Sequence, residues 1–590
     1  MSMRIPCRAF ARMALATFAG ALLAACSTST PAPEPSAAPP PGSDRGMVSS
    51  AHPLATRAGM EVLERGGTAI DAAIAVQAML GLVEPQSSGL AGGAFLLHYR
   101  ARDNQVDAYL GRERAPSNAD VSLFLDHVGQ PLPRSEAMLT GRATGVPGVL
   151  PALEAAHADH GRLAWPTLFS AAAETADRGF TVTPRLQQHI DGRFPQASAP
   201  DVVELFSGSD GQPLQTGDVM RNPAYARSLQ EIAARGAAAL QTGPLAEAIL
   251  ARVQESPDPS PMQAADLAGY QPDRARPVCR TIRAHLVCVP PPPSSGVGLL
   301  QLLLLLEGTD IAQRSPADPV AWLTFAEASR LMYADRDHYV GDPDFAEIPI
   351  QGMLDADYLD DRRRLLGERA AAGTYAPGRP EGAPANDRDH TAEPAGTSHF
   401  VVVDSEGNAV SMTTTIESYF GSGRVVGGML LNNQLTDFSW QPGGAAANAI
   451  APGKRPRSSM SPVIVLDPQG NFAGAIGSPG GNAIPAYIGK TLLGWLFWDL
   501  PLDQAIALPN LVARGERFNG EADAFTPTLR QELADLGVPV RPGSGEDSGL
   551  HGVQLRSGQL HGAADPRREG AVAPAKHPDA LRDDASAPAL

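Results

Sequence analysis

The sequence predicts a mixed α/β protein on three observations: a pair of adjoining helical stretches, a short buried strand behind them, and a β-hairpin far along the chain. Residues 54–67 (LATRAGMEVLERGG) and 69–82 (AIDAAIAVQAMLGL) carry apolar side chains at helical spacing, and Gly66-Gly67 stops the first. Residues 94–100 read as a buried strand. Residues 135–370 alternate helical stretches with Pro/Gly breaks, among them 297–306 (VGLLQLLLLL), too short to cross a bilayer and read as a core helix. Residues 370–396, rich in Gly, Pro, Ala, Asp and Arg, lack periodicity and read as exposed and mobile. The hairpin then starts abruptly. Thr397-Ser398-His399-Phe400-Val401-Val402-Val403 is its first strand, Ser405-Glu406-Gly407-Asn408 the turn, and 409–416 the second strand.

The N-terminus carries an export pattern. Arg4, Arg8 and Arg12 precede a 13–25 apolar run that is too short to span a bilayer. The run ends in Leu23-Ala24-Ala25-Cys26, which resembles the lipobox of bacterial lipoproteins. The reading is a signal peptide over 1–25, a lipid on Cys26, and a Ser/Thr/Pro/Ala tether over 26–46. A plain signal peptide cut nearby is the alternative. The expected location is the periplasm of a Gram-negative bacterium, anchored to the outer membrane by lipid alone.

Composition is that of an ordinary folded chain, 43% hydrophobic and 19% charged, with a formal charge of −17. Removing residues 1–25 takes away three arginines and no acid, so the remainder is more acidic still. That excludes gripping a phosphate backbone, and no nucleic-acid partner is expected. With Cys7 removed and Cys26 lipidated, Cys279 and Cys288 remain; they either bridge a hairpin or stay as two buried thiols. The 13 histidines show no ligand-like spacing, so neither a metal nor a cofactor is expected.

A threonine hydroxyl is a weak nucleophile without a base. Making the threonine a chain terminus supplies one, because an α-amine titrates at about 7.7–8.0. Creating that terminus internally requires attack on the preceding carbonyl, easiest after glycine, and Gly396-Thr397 meets the need. Alone the pair proves little. Its company is more telling: Gly407-Asn408-Ala409-Val410, Thr413-Thr414-Thr415-Ile416-Glu417, Leu430-Leu431-Asn432-Asn433-Gln434, Asp437-Phe438-Ser439, Lys454-Arg455-Pro456-Arg457-Ser458-Ser459-Met460-Ser461-Pro462 and Gly477-Ser478-Pro479-Gly480-Gly481 follow in order. In these blocks, from Met47 to Asp565-Pro566-Arg567-Arg568-Glu569-Gly570, the sequence resembles the γ-glutamyltransferase family of N-terminal-nucleophile hydrolases.

The resemblance implies a four-layer αββα sandwich shared by two cleavage products, 47–396 and 397–590, cut between Gly396 and Thr397 and paired as a heterodimer. It implies Thr397 as nucleophile, Thr415 hydrogen-bonding beside it, and the backbone N–H groups of Gly480 and Gly481 as oxyanion hole. Arg112, Ser458 and Ser459 would hold a donor α-carboxylate; Glu417, Gln434 and Asp437 would receive its ammonium. Taken singly, Gly480-Gly481 reads as a turn, Arg112 as a surface ion pair and Asp437 as a turn cap. Donors would be glutathione and related γ-glutamyl compounds, and acceptors amino acids, dipeptides or water. Glu417 stands where some relatives have asparagine. Residues 440–447 and 423–428 look shortened, so no lid is expected over the site and hydrolysis competes with transfer. The alternatives are a glutaryl or cephalosporin-type acylase of the same fold, and an uncleaved ligand-binding lipoprotein.

Overall fold

A computed structural model describes residues 46–574 except 257, 388, 390, 392, 441–445 and 544–547. The signal peptide, Cys26, the tether before Gly46 and most of the shortened 440–447 stretch therefore lie outside the described residues. In chain order come β1 (Met47–Ser50), α1 (Pro53–Glu64), α2 (Ala69–Val83), β2 (Gly93–Arg100), β3 (Gln105–Gly111), α3 (Val149–His160) and β4 (Asp273–Ala275). Next are β5 (Val278–Ile282), β6 (His285–Val289), α4 (Gly296–Glu307) and α5 (Pro319–Tyr339). Last are β7 (Thr397–Val403), β8 (Ala409–Thr415), β9 (Val463–Leu466), β10 (Phe472–Gly477), α6 (Ile484–Leu492), β11 (His551–Arg556), β12 (Gln559–Ala564) and β13 (Ala571–Pro574).

These strands build two antiparallel sheets, ordered β13-β1-β7-β8-β2-β3-β4 and β12-β11-β10-β9-β6-β5. Side chains alternate across each strand. On β7, Phe400 and Val402 join the core under α1, α2 and α3, whereas Val401 and Val403 face the second sheet. The second sheet is covered on its far side by α4, α5 and α6. The result is the four-layer αββα sandwich that the resemblance implied.

Local chemistry sets the elements. The His52 ring caps α1 by accepting the Leu54 N–H at 3.1 Å, and Pro53 occupies the first helical turn. Gly66 ends α1 with a φ of 82°, open to glycine without strain. Thr68 and Asp71 form a reciprocal capping box at the start of α2. Every residue of α2 is buried, as a helix apolar on nearly every face requires, and the 297–306 run is likewise the body of α4 in the core. Among the described residues no helix is long and apolar enough to cross a membrane. The β7–β8 turn is fixed by Asp404, whose carboxylate accepts the N–H groups of Glu406 (3.0 Å) and Asn408 (2.9 Å). That turn dictates the register, and the register places Thr397 directly opposite Thr415. Cys279 and Cys288 are cross-strand partners on the β5–β6 hairpin and are joined as a disulfide.

Candidate active site

Thr397 opens β7 on an inner strand of the first sheet, and alternation turns its side chain toward the second sheet. Its Oγ1 donates to Thr415 Oγ1 at 3.2 Å; Thr415 Oγ1 in turn donates to the Gly396 carbonyl at 2.6 Å and accepts the Glu417 N–H at 2.8 Å. One hydroxyl thus bridges the candidate nucleophile and the carbonyl it would attack. A Cβ on Gly396 would collide with the Glu417 carbonyl oxygen, so only glycine fits before Thr397. Arg568 Nη1 donates to the Thr397 carbonyl at 3.3 Å and lies 3.7 Å from Glu84, whose other oxygen receives Ser398 Oγ. The opening turn of β7 is therefore held by hydroxyl, backbone and ion-pair contacts. His399, also facing inward, is bonded to Thr413 Oγ1 at 2.9 Å and kept neutral by burial, a packing role.

Gly480 and Gly481 follow β10 and lead into α6, with φ of 126° and 52°. A Cβ on Gly481 would strike the carbonyl oxygens of Glu393 and Pro394, and the neighbouring Asn482 N–H donates to the Glu393 carbonyl at 3.1 Å. This loop thus cradles the segment running into the Gly396–Thr397 bond, while the donor on the Gly396 carbonyl is Thr415.

Arg112, Gln434 and Asp437 come together. Arg112 is fully buried; Nη2 reaches Asp437 at 2.8 Å and the Arg457 carbonyl at 2.7 Å, and Nε the Pro456 carbonyl at 3.1 Å. Gln434 Nε2 donates to the same Asp437 oxygen at 2.6 Å. Glu417 sits beside them, meeting Arg134 at 3.1 Å and receiving Asn433 Nδ2 and Ser418 Oγ. Burial and the Asp437 carboxylate push Glu417 well above the usual carboxylate range against the pull of Arg134, and burial raises Asp437 as well. Burial likewise raises Glu113, beside Arg112, to about 8. The two buried carboxylates thus face two guanidiniums, Arg112 on Asp437 and Arg134 on Glu417.

Ser458 is tied to the start of α4 and to its own loop: its carbonyl accepts Ser295 N–H and Oγ at 2.8 and 2.7 Å, and its Oγ accepts the Met460 N–H at 3.2 Å. Ser459 instead binds the Glu393 side chain through both N–H (2.9 Å) and Oγ. This corrects the reading of 370–396 as exposed throughout. Asp389, Glu393 and Gly396 are buried, because the segment's acids find arginines that only the tertiary fold supplies. Sequence reasoning also missed Arg134 and Arg336; Asn433 and Arg457 stood inside quoted blocks with no role attached. The expectation that no histidines cluster is corrected as well. Cross-strand pairing of His98 with Asp107 and the end of α3 bring His98, Asp107 and His160 to within 4.8 Å of one another. Asp107 is paired there with Arg100 at 3.4 Å and His160 with Tyr109 at 2.9 Å, and nearby Arg100 and Arg102 disfavour a further cation.

A sandwich of two antiparallel sheets between helical layers, with a strand-opening threonine whose hydroxyl is linked through a second threonine to the carbonyl of the glycine before it, marks the N-terminal-nucleophile hydrolase class. The comparisons narrow it. Residues 55–575 match the profile of the gamma-glutamyltranspeptidase family. The glutathione hydrolase proenzyme of Bacillus subtilis (strain 168) is 32% identical over 541 residues, covering 89% of this chain and 91% of the relative. The acylase ACY 1 proenzyme of Pseudomonas sp. (strain SE83) is 33% identical over 541 residues, covering 90% and 94%. Among solved structures, cephalosporin acylase from Bacillus halodurans superposes with a TM-score of 0.80 at 25% identity, over 92% of this chain and 98% of that one. The chain belongs to the gamma-glutamyltranspeptidase family, and it is an enzyme of the γ-glutamyltransferase/glutathione hydrolase type.

Proposed function

We infer that the protein is a proenzyme that cuts itself between Gly396 and Thr397 and then cleaves γ-glutamyl amides. The observation carrying this is the Thr397–Thr415–Gly396 hydrogen-bond chain, which the Glu417 N–H joins at Thr415 and so links to the buried Glu417, Arg134, Asp437 and Arg112 side chains. In self-cleavage, Thr397 Oγ1 bonds to the Gly396 carbonyl carbon, the Gly396–Thr397 C–N bond breaks, and the freed α-amine takes the hydroxyl proton. Water then hydrolyses the ester, leaving a Gly396 carboxylate and Thr397 as a new terminus. In turnover, that amine accepts the Thr397 hydroxyl proton as Oγ1 attacks the donor's γ-carbonyl, and the proton passes to the leaving amine. A γ-glutamyl–Thr397 ester remains, resolved by an amino acid, a dipeptide or water. Gly480 and Gly481 N–H groups would carry the oxyanion once the preceding segment has left. Arg112, Ser458 and Ser459 would take the donor α-carboxylate, Arg112 exchanging Asp437 for it; Glu417, Gln434 and Asp437 would take the ammonium.

The acylase relatives make a glutaryl donor the second reading. Glu417, Gln434 and Asp437, three buried acceptors gathered together, argue against it, since a glutaryl group brings no ammonium. Side-by-side rates on γ-glutamyl-p-nitroanilide and glutaryl-p-nitroanilide decide the point: the γ-glutamyl compound is expected to be cleaved faster, and the reverse order sinks the assignment. Export and lipidation at Cys26 rest on residues 1–26 alone; C26S is expected to abolish detergent-phase partitioning and a lipid mass on the mature N-terminus.

A further inference from the structure

Glu393, three residues before Gly396, is bound as a ligand would be. It is buried although it stands in a Gly/Pro/Ala-rich stretch. One carboxylate oxygen accepts both the N–H (2.9 Å) and the hydroxyl of Ser459; the other meets Arg336 Nη2 and, at 3.3 Å, Arg457 Nε. Burial opposes its charge, but Arg336 and Arg457 prevail and hold its pKa at about 2. Arg336 Nη2 also donates to Ser459 Oγ at 2.7 Å, so the cradle is internally braced. Two guanidiniums, a backbone N–H and a hydroxyl around one carboxylate make a recognition site with its donors fully used.

The charge balance shows what cleavage would do. In the uncut chain Arg336, Arg457 and Arg514 face Asp337, Glu393 and Asp389. Asp337 pairs with Arg336 at 2.9 Å and with Arg514 at 2.8 Å, and Asp389 with Arg457 at 2.9 Å. Glu393 and Asp389 both belong to the segment that ends at Gly396. Once that segment is cut and withdraws, Asp337 alone faces three guanidiniums, two of them wholly buried. Unpaired buried cations are costly, so the processed site demands an anion.

We propose that Ser459, Arg336 and Arg457 form a carboxylate subsite with two successive occupants. Glu393 fills it first, clamping the scissile peptide across Thr397 and closing the site to donors; the donor α-carboxylate fills it after cleavage. Arg336 and Arg457 then join Arg112 in setting the requirement for that carboxylate. The second half rests on the γ-glutamyl reading; the first half does not.

The test has two arms. Purified, folded precursors of wild type, E393A, E393Q and E393D are followed by gel and intact mass. E393A is expected to cut itself about a hundredfold more slowly, the effect of a peptide misplaced by about 1 Å. E393Q is expected to be slow with unchanged near-UV circular dichroism, and E393D to recover part of the rate. Tens of millimolar acetate is expected to speed E393A and leave wild type unchanged. Wild-type cleavage in both E393Q and E393A overturns the clamp; if E393A does not fold, the isosteric E393Q decides. In the second arm, processed R457M is assayed on γ-glutamyl-p-nitroanilide and on 4-aminobutyryl-p-nitroanilide, which keeps the ammonium and lacks the α-carboxylate. The variant is expected to raise KM for the first more than it lowers kcat, and to narrow the preference between the two. An unchanged preference overturns the donor half. If no form turns over a γ-glutamyl anilide, the γ-glutamyl reading and the donor half fail together, and the E393 variants still decide the clamp.

Discussion

Replacing Thr415 by valine keeps the shape of the side chain and deletes one oxygen. That oxygen serves three contacts: it accepts from Thr397 Oγ1 at 3.2 Å and from the Glu417 N–H at 2.8 Å, and it donates to the Gly396 carbonyl at 2.6 Å. The donor on the attacked carbonyl is the one that matters for rate. Losing a comparable oxyanion donor costs about 10²–10³ in rate, or about 2.7–4 kcal/mol of barrier, and T415V is expected to slow self-cleavage by that order. Stability falls as well, because the Glu417 N–H and the Gly396 carbonyl are left buried without this partner, at roughly 1–3 kcal/mol for each stranded group. The assay is the time course of precursor loss, with Tm measured on the T397A background to keep every sample uncut. T415S, which retains the hydroxyl, is expected to cleave faster than T415V. A folded T415V that processes at the wild-type rate refutes the assignment of Thr415 as the carbonyl donor.

G396A is expected to block processing more severely than T415V, since its Cβ has to displace the Glu417 backbone; quantitative processing by intact mass would contradict the packing. The Glu417 proton predicts a pH effect. Its folded value is raised above the ordinary 4.5, so the folded chain keeps a proton that the unfolded chain releases above that pH. This contribution is complete below about pH 4.5 and is lost as pH rises through the raised folded value, at up to about 1.4 kcal/mol per unit. As pH rises above about 4.5, the Tm of T397A is therefore expected to fall more steeply than that of T397A/E417Q; equal slopes would exclude the raised Glu417 value. Opening the Cys279–Cys288 bridge with C279S/C288S is expected to cost about 2 kcal/mol of stability. The bridge lies on β5 and β6, with β5 at the edge of the second sheet, so kcat is expected to stay at the wild-type value.

How much was legible depends on range. α1, α2, β2 and the β7–β8 hairpin were read to within three residues, because period and punctuation are local and strong there: the Gly66-Gly67 stop, the Asp404–Asn408 turn, the alternation along 397–403. Arg112, Gln434 and Asp437 were picked one by one from motif blocks, and the fold brings them into contact. Glu393 could not be read. It is one acid in a low-complexity stretch, and its partners Arg336, Arg457 and Ser459 are 57 to 66 residues away in sequence. Arg134 was equally silent, being 283 residues from Glu417. Buried ion pairs between distant segments leave no periodic trace, since each member alone looks like a solvated surface charge.

The central claim is that Thr397 is a self-generated N-terminal nucleophile, and intact mass with N-terminal sequencing of wild type beside T397A tests it most directly. The account predicts two wild-type fragments, the smaller beginning at Thr397, and a T397A chain that remains whole. A folded wild-type chain that stays in one piece, or a T397A chain cut at the same bond, would contradict it.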